Sequence, residues 1–123
     1  TPTKTPVPPA GGQGCTPGYW KQPHHFDSWV GYSPTDDFET VFGVDASFDP
    51  HTLLDGASRN GGGENALARH AVAALLNASS GGVNYAYTTA DVIAMVQAAY
   101  ATGNFEATKN LFEAQNDTSC PLN

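Results

Sequence analysis

The chain has 123 residues, of which 40% are hydrophobic, and carries a formal net charge of −7 from 12 acidic and 5 basic residues. This length suits one domain with its own core and is too short for two ordinary domains. The acidic balance argues against nucleic acid and anionic lipid as partners, because both require a basic surface. The apolar runs are too short for a bilayer span, so we expect no membrane insertion.

The first segment, residues 1–14, reads TPTKTPVPPAGGQG and is rich in Thr and Pro. Proline restricts its own φ and the residue before it, so this composition favours an extended polyproline II conformation. We therefore expect an extended linker over residues 1–14 and one domain over residues 15–123. Thr/Pro-rich linkers are typical sites of O-linked glycans. The candidate acceptors are Thr1, Thr3 and Thr5.

Two cysteines, Cys15 and Cys120, stand at the two borders of the predicted domain. A disulfide between them would tie the start of the domain to its end, and closing so long a loop stabilises by about 4–5 kcal/mol in the chain-entropy model. Two unrelated buried thiols are the alternative. Disulfides persist in oxidising compartments, so the pairing predicts an extracellular or cell-surface location.

Short helices are predicted from residue 16 onward. Thr16 precedes Pro17, and a capping Thr before a proline is typical of a helix start. This helix should carry Trp20 and stop near Pro23. A second short helix should end at Gly31, because glycine favours the left-handed stop.

The next helix start is predicted at Ser33, which with Asp36 forms a capping box. Phe38 and Phe42 then follow at helical spacing, and Gly43 is the expected stop. A further cap-proline pair precedes Leu53 and predicts another short helix. That pair is Asp49-Pro50.

A longer helix is predicted over residues 64–78, after the glycine-rich hinge at 59–63. Its apolar and small side chains indicate a central, closely packed position. We expect His70, Ala73 and Asn77 on its polar side. Two Asn-x-Ser/Thr sequons, at Asn77 and Asn116, then predict accessible sites for N-linked glycans.

The C-terminal part should contain a weak strand at residues 83–87 and a second long helix at 89–102, which begins after a capping box and ends at Gly103. Asn104 should cap a last helix. Its expected apolar anchors are Phe105, Leu111 and Phe112. The predicted fold is therefore all-α, with short capped helices around a longer helix pair, closed by one terminal disulfide.

The motifs CTPGYWK, GYSPTDDFETVFG and ALARHAVAALLNA, followed by a final CPL, together resemble a module of secreted or surface-attached bacterial proteins. In those proteins the C-T-P-G-Y-W-K module stands beside Thr/Pro-rich linkers. The resemblance covers residues 15–122. It implies an extracellular, modular and non-catalytic part, and it carries over no catalytic residues.

Metal sites have little support in the histidine pattern. His24 and His25 are adjacent and point in different directions, and the other two histidines lie on separate elements. We therefore expect surface or capping imidazoles and no zinc site. The acidic residues between 36 and 55 lack an EF-hand pattern and should form a solvated face. A calcium site using Asp45 and Asp49 is the alternative.

Aromatic residues near the N-terminus allow two interpretations. They belong to the core, or they form an exposed platform on which a sugar ring stacks. The residues concerned are Tyr19, Trp20, Trp29 and Tyr32.

Catalytic motifs are missing from the sequence, since the serines lack a nucleophile elbow and the glycine run lacks the Lys and Ser/Thr of a phosphate loop. We expect no enzyme and no cofactor. The predicted function is an extracellular structural or interaction module, a glycosylated subunit of a surface fibre or matrix. Its partners would be copies of itself or neighbouring domains of a larger surface protein. A carbohydrate-binding module and a hydrolase are the alternatives.

Overall fold

The computed structural model describes residues 12–122, and seven helices make up the regular structure in that range. The residues Thr1, Thr3 and Thr5, with most of the predicted linker, lie outside the described residues. The α-helices are α1 Pro17–Trp20, α2 Phe38–Phe42, α3 Leu53–Ala57, α4 Glu64–Ser79, α5 Thr89–Thr102 and α6 Phe105–Asn116, and a 3₁₀ helix covers Pro23–Ser28. The predicted all-α class and the disulfide between Cys15 and Cys120 are confirmed.

Helix α4 lies at the centre and packs most extensively against α6, then against α3 and α5. Its side chains are buried along nearly the whole length, including His70, Ala73 and Asn77. The prediction of a polar side is therefore wrong. Small alanine side chains let neighbouring helices approach from several directions, so α4 keeps only its first turns and its end partly open to solvent.

Several predicted caps are confirmed. The Thr16 side chain accepts a hydrogen bond from the Tyr19 N–H, and Thr88 with Asp91 forms a reciprocal capping box before α5. Helices α2 and α5 end at Gly43 and Gly103, whose φ angles of 69° and 75° are those of left-handed stops.

The predicted starts of α2 and α3 are wrong by a few residues. Ser33 forms a turn, in which the Asp36 carboxylate accepts hydrogen bonds from the Ser33 N–H and hydroxyl. Asp37 is the N-cap of α2, and Thr52, not Asp49, is the N-cap of α3. Both errors have one cause, because residues 37 and 52 pair in an antiparallel bridge that holds the chain extended up to these caps.

No strand forms within residues 12–122, so the strand predicted at 83–87 is absent. The side chains of Val83 and Tyr85 are nevertheless buried. Their alternation reflects a loop that lies on the helices, since a lone strand would leave its backbone without a pairing partner. In the described part of the chain, no helix has the length and apolarity needed to cross a membrane.

Aromatic side chains from separate elements fill the core around α4. Phe38 contacts Phe42 and Phe48, with ring centroids 4.6 and 5.1 Å apart. From α6, Phe112 is fully buried, whereas its neighbour Leu111 is 49% exposed and is not the apolar anchor that was expected.

Replacing Phe112 with Ala should lower the free energy of unfolding by about 3–5 kcal/mol, because it removes a fully buried ring and leaves a cavity. Leu111→Ala is the matched control on the same helix and should change it by less than about 1 kcal/mol. Urea denaturation of both variants gives the comparison. Equal losses would contradict this assignment of the core.

Candidate functional site

The two ends of the described chain meet at the disulfide. The Cα atoms of Cys15 and Cys120 lie 4.6 Å apart, with Cys15 fully buried and Cys120 half-buried. Beside the disulfide, Gln13 and Ser119 form a parallel bridge, and the Gly14 N–H donates to the Ser119 carbonyl at 3.0 Å. We call this arrangement of residues 13–15 and 119–120 the clasp.

Gly14 allows the incoming chain to lie directly against the end of α6. A Cβ atom at this position would stand 2.0 Å from the Gln115 carbonyl oxygen, which no side chain can tolerate. The preceding side chain adds a second attachment, since Gln13 Oε1 accepts a hydrogen bond from the Asn84 N–H at 2.7 Å. The clasp is therefore closed by the disulfide and also packed against the end of α6 and the loop at Asn84.

The side chain of Asn77 on α4 holds the backbone of Cys15 through both its N–H and its carbonyl group. Its Oδ1 accepts from the Cys15 N–H at 2.8 Å and from the Trp20 indole N–H at 3.1 Å. Its Nδ2 donates to the Cys15 carbonyl at 2.8 Å and to Asn116 Oδ1 at 3.0 Å. The amide thus makes four hydrogen bonds in a fully buried position.

Asn116, the last residue of α6, extends this network. Its Oδ1 also accepts from the Tyr85 hydroxyl at 2.6 Å, and its Nδ2 donates to the His70 carbonyl at 3.1 Å. The same Nδ2 lies 3.3 Å from His70 Nδ1. Burial raises the pKa of Tyr85, which keeps its hydroxyl protonated as a donor.

The burial of Asn77 and Asn116 rules both out as glycan sites in the folded domain. Each side chain has no exposed surface, and both N–H groups of each amide face protein acceptors. A sugar on either nitrogen would need space that packed side chains occupy. The expectation of accessible sequons is wrong, and the asparagines instead serve the internal network.

The alternative interpretation of these four residues as a sugar-stacking platform does not fit, because three of the four rings are buried in the core. Trp20 has no exposed surface, and Tyr19 and Trp29 are each 8% exposed, while Tyr32 is half-buried. The Trp29 indole N–H donates to the Trp20 carbonyl at 3.0 Å, so even the polar edge of this ring points inward.

An open polar groove lies beside Tyr19, on the outer side of α1. The His25 ring stacks on Tyr19 with centroids 3.9 Å apart, and His24 lies 4.0 Å from His25. The His24 and His25 rings are tilted by 45° to each other, and neither belongs to a group of converging metal-ligand atoms among the described residues. His24 is exposed and His25 is half-buried, so both rings lie at the surface, as the sequence predicted.

A second polar cluster joins the start of α2 to the start of α3. His51 Nδ1 lies 2.5 Å from Asp37 Oδ1, and His51 Nε2 lies 3.7 Å from Glu39 Oε1. The Asp37 hydrogen bond and the nearby Glu39 charge raise the pKa of His51. Hydrogen bonds from Thr40, and then the contact with His51, lower the pKa of Asp37.

No sequence pattern predicts this cluster, because His51 lies 14 positions from Asp37 in the chain. Asp37, Glu39 and His51 are the one group of three or more potential metal ligands within residues 12–122 whose donor atoms converge. Asp45 and Asp49, the residues of the alternative calcium site, are exposed and belong to no such group among the described residues.

A comparison with protein-family models, curated proteins and solved structures finds no match for this chain. The resemblance to the C-T-P-G-Y-W-K module therefore stays a prediction. The structural features that bear on function are the clasp, the groove beside Tyr19 and the cluster of Asp37, Glu39 and His51.

Replacing Asn77 with Ala should lower the free energy of unfolding by at least about 3 kcal/mol, because it leaves several buried polar groups without partners. Asn65→Ala is the matched control on the same helix. The Asn65 side chain makes an exposed hydrogen bond to the Asn60 carbonyl, so its loss should cost less than about 1 kcal/mol. Chemical denaturation under oxidising conditions is the measurement, and a small effect at Asn77 would contradict the role of the network.

The free energy of unfolding should also fall as the pH drops below about 6.5, which is the ordinary pKa of a histidine side chain. Burial lowers the pKa of His70 in the folded chain, where the charges of Glu113, Asp117, Arg69 and Lys109 face it. Below that value the unfolded chain takes up a proton that the folded chain does not. The loss should reach at most about 1.4 kcal/mol per pH unit.

His70→Gln should remove this dependence between pH 7.5 and 5.5, whereas His24→Gln should retain it. His51 acts in the opposite direction in the upper part of this range, because its raised pKa lets the folded chain take up its proton before the unfolded chain does. The wild type and both variants retain His51, so its contribution cancels when they are compared. Urea denaturation at the two pH values tests the point. An unchanged slope in His70→Gln would exclude His70 as its source.

Proposed function

We propose that this protein is an extracellular structural or interaction module whose clasp carries mechanical load between a linker and the rest of a surface protein. The observation that carries the proposal is the 4.6 Å separation of the Cys15 and Cys120 Cα atoms. A covalent bond between chain segments that enter and leave at one point is suited to this task. Its persistence requires an oxidising environment, which supports a location outside the cell.

The direction of the two segments supports the same role. Gln13 and Ser119 pair in parallel, so the incoming and outgoing chains run the same way through the clasp. A force applied across residues 12 and 122 would therefore load the disulfide and the Gly14–Ser119 hydrogen bond first. The helical body would stay outside the load path and keep its surface for partners.

The partners proposed from the sequence are copies of the chain or neighbouring domains of a larger surface protein, assembled as a fibre or matrix. With Asn77 and Asn116 buried, the proposed glycans are confined to Thr1, Thr3 and Thr5. The proposal assigns no catalysis to the chain. The burial of Trp20 and its neighbours leaves a carbohydrate-binding role with less support than the structural one.

Single-molecule pulling tests the load path. The domain, flanked by handles at residues 12 and 122, should show no unfolding step from residues 15–120 while the disulfide is intact. After reduction the same domain should unfold and lengthen by roughly 35–38 nm, since the cysteines are 105 positions apart in the sequence and each position extends about 3.3–3.6 Å.

Cys15→Ser is the control and should give the long extension with or without reductant. A long extension in the oxidised wild-type protein would contradict the proposed load path. Location is checked separately on native material. A membrane-impermeant maleimide should label the cysteines on intact cells only after reduction, and labelling confined to lysed cells would contradict a place outside the cell.

A further inference from the structure

We infer that Asp37, Glu39 and His51 form a binding site for a divalent transition-metal ion, with zinc as its best chemical match. The site lies on α2 and on the chain before α3. It shares no residue with the clasp. Its test is therefore independent of the load-bearing role proposed above.

Backbone pairing holds the three residues in place before any ion binds. The Phe38 N–H donates to the His51 carbonyl at 2.7 Å, and the Leu53 N–H donates to the Asp36 carbonyl at 2.8 Å. Phe38 itself is fully buried and stands between the two acids in sequence. The ligand residues are thus attached to a core anchor, and this preorganisation lowers the entropy cost of binding.

The donor atoms have the spacing of ligands that share an ion. One atom from each of the three residues lies within 4.8 Å of the others. The 3.7 Å between His51 Nε2 and Glu39 Oε1 is too long for a hydrogen bond. Two ligands on one tetrahedral zinc ion, with bonds of about 2.0–2.1 Å, lie roughly 3.3 Å apart, so a small shift of the Glu39 side chain would suffice.

Asp37 is a positioning residue in this arrangement. Its Oδ1 pairs with His51 Nδ1 and so leaves Nε2 directed toward Glu39. Its other oxygen accepts from the Thr40 N–H and hydroxyl at 2.9 and 2.8 Å, which keeps the carboxylate from turning away. Carboxylates paired with a metal-ligating histidine in this way orient the ring and strengthen the ligand.

Charge and access also favour a cation. In the described chain the ion pairs made by Asp37 and Glu39 go to His51 alone, and no Lys or Arg neutralises them. Binding of the ion releases any proton from His51 Nε2, and two carboxylates with the neutral imidazole then carry a charge of −2, which a divalent ion balances. The side chains are 29–41% exposed, so an ion can enter from solvent without opening the core.

The donor set selects the kind of metal. Imidazole nitrogen with carboxylate oxygen suits zinc and its neighbours among the transition metals, whereas calcium requires six to eight oxygen ligands. Water would complete the coordination of an ion held by Glu39 and His51, while Asp37 orients the His51 ring. We therefore expect zinc to bind and calcium not to bind, which also differs from the calcium site considered at Asp45 and Asp49.

Titration calorimetry of the full chain with zinc chloride at pH 7.5, in a buffer that does not chelate metal, tests the site. One ion should bind per chain. Glu39→Gln and His51→Gln should each weaken binding at least tenfold, and Asp37→Asn should weaken it about tenfold while preserving the helix cap. Calcium chloride should give no binding heat.

The double variant His24→Gln/His25→Gln is the matched control, because the exposed histidine pair is the competing place for adventitious zinc. It should bind zinc as the wild type does. Binding that survives His51→Gln, or that disappears in the control, would overturn the inference, as would the absence of one-to-one binding up to millimolar zinc.

A spectroscopic readout on the unaltered protein guards against variants that fail to fold. Zinc should shift the ¹⁵N resonance of His51 Nε2. The resonance of Nδ1 should still be that of a nitrogen whose proton is hydrogen-bonded to Asp37. A zinc shift at the His24 or His25 ring with none at His51 would overturn the inference even if every variant unfolded.

Discussion

Asn77 holds both backbone groups of Cys15 inside the protein, and the position of the clasp depends on this contact. The same amide binds the Trp20 indole and Asn116, so the first helix and the last helix meet at one side chain of the central helix. Loss of a partner would leave buried polar groups unpaired, at about 1–3 kcal/mol for each group. The disulfide and these hydrogen bonds therefore hold the same junction of the chain.

Helix α4 is anchored by polar contacts at both of its ends. At its start, Glu64 accepts hydrogen bonds from the Ser47 N–H at 2.8 Å and from the Tyr100 hydroxyl at 2.6 Å. These contacts attach the α2–α3 loop and α5 to the central helix, as Asn77 attaches the clasp at the other end. The clasp and the loop that carries His51 are thus connected to the same helix at opposite ends.

The sequons illustrate how a short motif can mislead. An Asn-x-Ser/Thr pattern describes three neighbouring residues, whereas accessibility depends on every element packed around them. Asn77 lies on a helix that its neighbours surround, and Asn116 lies at the point where α6 meets that helix. The Asn77 amide donates hydrogen bonds to residues that lie 39 and 62 positions away in the sequence. A three-residue motif contains no information about such distant partners. His51 joined Asp37 in the same way, through a bridge between distant residues.

The sequence by itself determined the helical class, the joined cysteines and the caps at Thr16, Thr88, Gly43 and Gly103, because these depend on nearby residues or on the two cysteines present. The tertiary structure decided which polar residues are internal and which side chains converge. Asn77 is polar by composition and buried by packing, since a long-range network supplies the hydrogen bonds that water would otherwise make. Local chemistry therefore sets most helix ends, whereas the bridge between residues 37 and 52 sets the starts of α2 and α3, and only the assembly of the helices sets what they can bind.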